Sequence, residues 1–176
     1  STNQIIEGYL NCIVGTPLQY GIKSTDINLY QLGFGESIAS EHWNNQTIDI
    51  NKYTIHFDSA LYLYWENGEV DKFYSDSRAE EFNLIIFKLL GKIVKRIALS
   101  VENDLWIDLG DCHIVIVTRD DDEESWRFFL PRTNQPHLIA SSVALELDDS
   151  EFKESDSKGQ GDGSLVSGNC PVHFSS

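Results

Sequence analysis

Residues 104–118, DLWIDLGDCHIVIVT, have the pattern of two β-strands around a Gly110-Asp111 turn. The segment SWRFFL, residues 125–130, follows and predicts a further strand. Between them lies DDDEE, so the whole stretch from 114 to 130 predicts a β-hairpin with acidic residues at and around its tip. We therefore expect antiparallel sheet in this part of the chain.

The same period of two continues on both sides of this stretch. It is visible at residues 18–23 and 48–50, and again in HLIASSVALEL at 137–147. In SALYLYWENGEV, residues 59–70, the leucines fall on one face of a strand and the tyrosines on the other. Asn67-Gly68 in this segment is a strong hairpin signal, because both residues tolerate positive φ.

One segment has helical spacing instead. Residues 75–92 place apolar side chains three and four positions apart, and Glu80 and Glu81 suit a first helical turn. Ser75 or Asp76 can cap the start of this helix, and Gly91 can end it. Because the apolar stripe is that of a helix packed on a sheet, the sequence predicts one main amphipathic helix.

The order of segments is similar before and after this helix. Residues 13–22 and 89–99 share an apolar pair, a glycine and an alternating run, and each is followed by another strand pattern. We expect an α+β fold, mostly antiparallel β-sheet in two β-meanders with the helix between them. A single domain is expected over residues 1–147, followed by a polar tail or surface loop over 148–176 that is rich in Ser, Gly, Asp and Lys.

The composition excludes several classes of function. A formal net charge of -15 disfavours binding to nucleic acid. Three cysteines without framework spacing argue against a disulfide scaffold. No basic leader and no apolar run long enough for a bilayer is visible, so we expect a cytoplasmic protein without membrane partners. Nucleotide-binding, hydrolase-elbow and zinc motifs are absent from the sequence, so no cofactor, metal or catalytic residue is predicted.

The acidic run Asp120 to Glu124 has four candidate interpretations, and the pattern argues against two of them. Catalytic carboxylates need one buried and one solvated group, whereas five consecutive acids share one environment. A calcium loop needs alternating oxygen ligands and a glycine, which DDDEE lacks. A solubilising tip and a surface for a basic partner remain equally compatible with the pattern. Trp126 and Trp65 are residues of the kind that anchors interfaces, although the pattern is equally compatible with a core position for either, whereas Trp106 is expected in the core.

The succession DLWIDLGDCHIVIV, acids and SWRFF resembles small bacterial immunity proteins encoded beside polymorphic toxins, including those of contact-dependent growth inhibition. The motif covers residues 104–129. The resemblance implies a non-enzymatic protein that neutralises the C-terminal domain of a cognate toxin, expected to be a basic nuclease, in a one-to-one complex, and that is otherwise a monomer. The residues expected to bind the toxin are Asp120, Asp121, Asp122, Glu123, Glu124, Trp126, Trp65, Glu66 and Glu69.

Two other classes remain open. The first is a small hydrolase that uses carboxylates or Cys112 with a histidine such as His137. The second is an assembly subunit that uses exposed strand edges.

Overall fold

A computed structural model describes residues 2–43 and 46–148 of the chain. The fold is α+β and mostly strand, as predicted. Two nine-residue helices are α1, Thr2–Leu10, and α2, Ala79–Phe87. The strands are β1 Leu18–Lys23, β2 Tyr30–Trp43, β3 Gln46–Phe57, β4 Ala60–Trp65, β5 Val70–Phe73, β6 Arg96–Leu99, β7 Leu105–Asp108, β8 Cys112–Val117, β9 Trp126–Phe129, β10 His137–Ala140 and β11 Leu145–Asp148.

These strands form two antiparallel sheets. The first has six strands in the order β1-β2-β3-β9-β10-β11, and the second has five in the order β5-β4-β8-β7-β6. The two predicted meanders are β1–β3 in the first sheet and β6–β8 in the second, with α2 between them in the chain. Strands β3 and β4, and again β8 and β9, are consecutive in the chain but lie in different sheets.

One apolar cluster joins both sheets and both helices, and period-two burial in the strands produces it. Leu61 and Leu63 of β4 are fully buried, as their alternation with the tyrosines predicted. At the N-terminus, Tyr9 of α1 packs edge-on against Phe128, and its hydroxyl donates a hydrogen bond to the carbonyl of Pro136. Helix α1 was not predicted, and it covers the first sheet.

Helix α2 is shorter than the predicted range of residues 75–92, and its start is stabilised by other contacts than the predicted caps. Its N-cap residue is Arg78, which makes no side-chain capping bond, so Ser75 and Asp76 do not cap it. Instead the buried ammonium of Lys23, on β1, donates hydrogen bonds to the carbonyls of Ser75 and Ser77. These hydrogen bonds therefore hold the turn that precedes α2 against β1, the edge strand of the first sheet.

The predicted hairpin over residues 114–130 is wrong. Strand β8 pairs with β4 and β7, whereas β9 pairs with β3 and β10. The Asn67-Gly68 hairpin is confirmed: β4 and β5 are antiparallel neighbours, and Gly68 has a φ of 92°. The C-terminal tail was predicted over residues 148–176; Asp148 is the last residue of β11, and residues 149–176 lie outside the described residues.

Candidate protein-binding surface

The acidic run lies in the connection that crosses from one sheet to the other. All five side chains, Asp120 to Glu124, belong to exposed residues. The connection begins after Val117 and ends at Trp126, so it occupies one end of the molecule. Ser125, just after the acids, is buried, and its hydroxyl accepts a hydrogen bond from the Arg119 amide.

Two arginines of the chain itself neutralise part of this run. The Arg119 guanidinium lies 3.2 Å from the Asp121 carboxylate and also contacts Asp58, in the connection between β3 and β4. Arg127 binds Glu124 through two nitrogens, at 2.8 and 3.0 Å. Among the described residues, Asp120 and Asp122 have no ion-pair partner. The run is therefore a folded, exposed loop whose charge is partly neutralised by arginines of the chain itself.

A groove of about 280 Å³ separates this loop from the last two strands of the first sheet. Four carboxylates surround it, with Arg127 as the single basic residue of its lining. The lining residues are Asp122, Glu124, Arg127, Ile139, Ser141, Ala144, Glu146 and Asp148. Its charge balance suits a cationic side chain from another molecule.

Two histidines lie beside Arg127 on the first sheet. His56 is paired with Arg127 in the register of β3 and β9, and the Arg127 Nη1 lies 2.9 Å from the His137 Nδ1. Burial, together with the positive charge of Arg127, lowers the pKa of His56 to about 4. A neutral His56 therefore adds no positive charge beside Arg127, the residue that binds Glu124.

The tryptophans do not lie where the sequence analysis placed them. Trp126 is fully buried, and its indole nitrogen donates a 2.8 Å hydrogen bond to the Asn103 carbonyl. It therefore presents no surface to a partner. Trp106, expected in the core, is 42% exposed. Trp65 is half-buried, and its indole nitrogen donates to the Asp71 carboxylate at 2.8 Å.

The predicted binding residues form two separate groups. In the register of β4 and β8, Ala60 is opposite Val117 and Trp65 is opposite Cys112. The acids follow Val117, whereas Glu66 and Glu69 follow Trp65, so the two groups lie at opposite ends of these strands. Five residue steps separate the ends by about 17 Å. Trp65, Glu66, Asn67 and Asp111 line a separate open depression of about 400 Å³.

An aromatic face lies on the second sheet, and the sequence analysis did not identify it as a surface. We define it as Tyr62, Tyr64, Tyr74 and Trp106. The Tyr64 and Trp106 rings are stacked at 6.0 Å, Tyr62 meets Tyr64 and Tyr74 edge-on, and the Lys72 ammonium lies over the Tyr62 ring at 4.9 Å. Alternation in residues 61–64 was the signal that could have revealed it.

This aromatic face borders the acidic loop. The Asp104 carboxylate, two residues before Trp106, accepts hydrogen bonds from the Thr118 amide and hydroxyl at 2.8 and 3.0 Å. Thr118 is where the connection to the acids begins. Burial, a hydrogen bond with Tyr74 and, to a lesser extent, the charge of Asp104 raise the pKa of Tyr62. Asp104 thus links the aromatic face to the loop.

The candidate nucleophile of the hydrolase alternative is poorly placed for catalysis. Cys112 is fully buried, and desolvation raises the pKa of its thiol to about 12. A thiol in that state supplies almost no thiolate at neutral pH. His137, its suggested base, lies on the other sheet. Within residues 2–43 and 46–148, no group of three or more His, Cys, Asp or Glu side chains is arranged to hold a metal ion.

The sequence analysis argued against a disulfide scaffold, and the cysteines of the described residues differ from one another. Cys12 is disulfide-bonded, whereas Cys112 is a free cysteine. Cys170, the third cysteine of the sequence, lies outside the described residues.

Comparisons with known proteins found no match for this chain. No family model matches it, and no significant match was found among curated proteins or solved structures. Neither α1 nor α2, the helices of the described residues, has the length and apolar character needed to cross a bilayer.

Proposed function

We propose that this chain is an inhibitory binding protein of the immunity type, which neutralises the toxic domain of a cognate protein by occupying its surface. The observation that carries the proposal is the aromatic face Tyr62, Tyr64, Tyr74 and Trp106 on the solvent side of the second sheet. Tyrosine and tryptophan dominate the energetic centres of protein interfaces, because they bury a large area at little cost in side-chain entropy.

The surroundings of Trp106 favour a partner that brings cationic side chains. Trp106 and Asp108 are two positions apart on β7, and Asp104 directly precedes this strand at the same spacing, so all three are expected on the same side of the sheet. A guanidinium or ammonium placed over the indole ring would have a carboxylate on either side. Lys72 already lies over Tyr62 in this way within the chain. Arg and Lys are the cations that such faces attract.

In this proposal the acidic loop and the net charge raise the association rate more than the final affinity. A chain with a formal net charge of -15 attracts a basic domain over a distance, and this attraction weakens with salt. Asp120 and Asp122, which have no ion pair within the described residues, are the loop carboxylates best able to contribute to it. In this proposal the aromatic face provides the contact area and the loop accelerates encounter.

The proposal is tested by co-expressing this chain with the reading frame immediately upstream in its source genome. We expect that frame to encode a protein whose C-terminal domain stops growth when expressed alone, and we expect this chain to restore growth through a stable one-to-one complex. Trp106→Ala should weaken the purified complex at least tenfold. Leu84→Ala, a truncation of an exposed apolar residue on α2, which packs on the first sheet, is the control and should leave affinity unchanged.

Association kinetics separate the two parts of the surface. Asp120→Asn with Asp122→Asn should lower the association rate and reduce its salt dependence, with little change in the dissociation rate. Trp106→Ala should act mainly on dissociation. If the upstream product is harmless, or if it is toxic but neither binds nor is silenced by this chain, the proposed function is refuted.

A further inference from the structure

Helix α2 presents a second apolar surface, on a different element from the aromatic face. Its inner face, with Phe82 and Ile86, is buried in the core. On its outer face Leu84 is 72% exposed and Phe87 is 75% exposed. Leu90 and Ile93, which follow the helix, are each 38% exposed. Large apolar side chains grouped in this way on a surface mark a contact with another molecule.

The charges along the outer face of α2 are complementary to themselves. Glu80, Leu84 and Lys88 are four residues apart, so they form one stripe along the helix. An identical helix, related by a two-fold axis through Leu84 and running antiparallel, places each Lys88 opposite the Glu80 of its partner. Glu80 has only a loose contact of 3.6 Å with Arg78, and both side chains are largely exposed. It can therefore turn to a second partner at little cost.

We propose that α2 forms a two-fold symmetric dimer contact with a second copy of this chain. Leu84 and Phe87 supply its apolar centre, and the two Glu80–Lys88 pairs set the antiparallel register. An interface of this kind uses the same patch on both copies and closes after two. The inference is independent of the proposed function, since α2 packs on β1 of the first sheet whereas the aromatic face lies on the second.

The net charge does not prevent this contact. Two copies each carry a formal charge of -15, but at physiological ionic strength charges more than about 8 Å apart are largely screened. The helix is nine residues long, or roughly 13.5 Å, which gives a contact smaller than the standard interface of about 800 Å² per partner. We therefore expect a reversible dimer that increases with protein concentration and with moderate salt.

Sedimentation velocity over a wide concentration range tests the proposal on the full chain. The wild type should shift from monomer to dimer as concentration rises. Leu84→Asp should remain monomeric at every concentration without a lower thermal midpoint, because its side chain is already mostly exposed. Val143→Asp is the control: Val143 is 73% exposed, lies just before β11 and should dimerise like the wild type.

A charge exchange then tests the register. Glu80→Lys and Lys88→Glu should each weaken the dimer, since each places like charges opposite one another. The double variant E80K/K88E should restore it. A chain that stays monomeric at all concentrations would overturn the proposal. So would a dimer that survives Leu84→Asp, or single-charge defects that the double exchange does not repair. A lower midpoint for Leu84→Asp without any dimer would mean that the chain covers this face itself.

Discussion

Replacing His56 should remove a large part of the acid sensitivity of this fold. The ring is half-buried on β3, with its Nε2 3.2 Å from the Gln31 Oε1 and its plane edge-on to Phe129. Arg127 is its cross-strand neighbour. Protonation would place a second positive charge beside Arg127 at a partly desolvated position, and the pKa of His56 is therefore lowered to about 4.

The size of the effect follows from proton linkage. The unfolded chain binds a proton at this histidine with a pKa of about 6.5, whereas the folded chain does so only near 4. Between these values the unfolded state binds more protons, so stability is present above pH 6.5 and decreases as the pH falls. The loss from His56 alone is about 2 kcal/mol at pH 5 and about 3 kcal/mol at pH 4.

Chemical denaturation of the wild type and His56→Gln between pH 7.5 and 4.5 measures this contribution. Glutamine does not titrate, so the variant should lose about 2 kcal/mol less than the wild type on going from pH 7.5 to pH 5. Carboxylates contribute equally to both curves and cancel in the difference. His42→Gln, an exposed histidine on β2, should retain the wild-type slope. Parallel curves for His56→Gln and the wild type would refute the reasoning.

Three further experiments test other parts of the structure. Trp126→Phe should destabilise the fold by about 2–3 kcal/mol, because it leaves a cavity and the Asn103 carbonyl unpaired, whereas Trp106→Phe should cost under about 0.5 kcal/mol, both measured by urea unfolding. Gly33→Ala should cost about 1–3 kcal/mol by the same assay, since its Cβ would lie 2.2 Å from the Oδ1 of the buried Asn51. Cys112 should resist a thiol reagent in the native state and react after denaturation without reductant, while Cys12 should react only after reduction, as peptide mass spectrometry can show.

Period-two patterns located most of the strands and the two meanders, because most strands bury one face against the shared core. They did not show that the run at residues 137–147 is two antiparallel strands, β10 and β11. They could not show which strands pair. A polar run between two strands is compatible with a hairpin and equally with a crossing between sheets, and at residues 118–125 the chain crosses. Partner choice depends on contacts distant in sequence, such as those of β9 with β3.

The helices show a different limit. The apolar spacing of residues 75–92 located α2, but its first turn depends on Lys23, which is distant in sequence and whose ammonium binds the carbonyls that precede the helix. Helix α1 was missed although Ile5, Ile6, Tyr9 and Leu10 have helical spacing, because its nine residues carry no acidic residue in the first turn and no basic residue in the last, so the usual end signals are absent. It is stabilised by tertiary packing, including the contact between Tyr9 and Phe128.

The sequence neighbours of Trp106 and Trp126 indicate which of the two is exposed and which is buried, and the sequence analysis did not use them. Trp106 alternates with Leu105 and Ile107 and shares its face with Asp104 and Asp108, which indicates solvent. Trp126 shares its face with Phe128 and Leu130, which indicates the core. Comparing the neighbours two positions away therefore separates an anchor residue from a core residue without a structure.

No such comparison could have measured the distance between the two predicted groups of binding residues. The register of β4 and β8 places the acids at one end and Trp65 and Glu66 at the other. A partner that covers the aromatic face starts at the acidic end, since Asp104 joins Trp106 to Thr118. It reaches Trp65 only if its footprint extends along the whole length of β4. The effect of Trp65→Ala on a complex that Trp106→Ala weakens would therefore measure how far the interface extends.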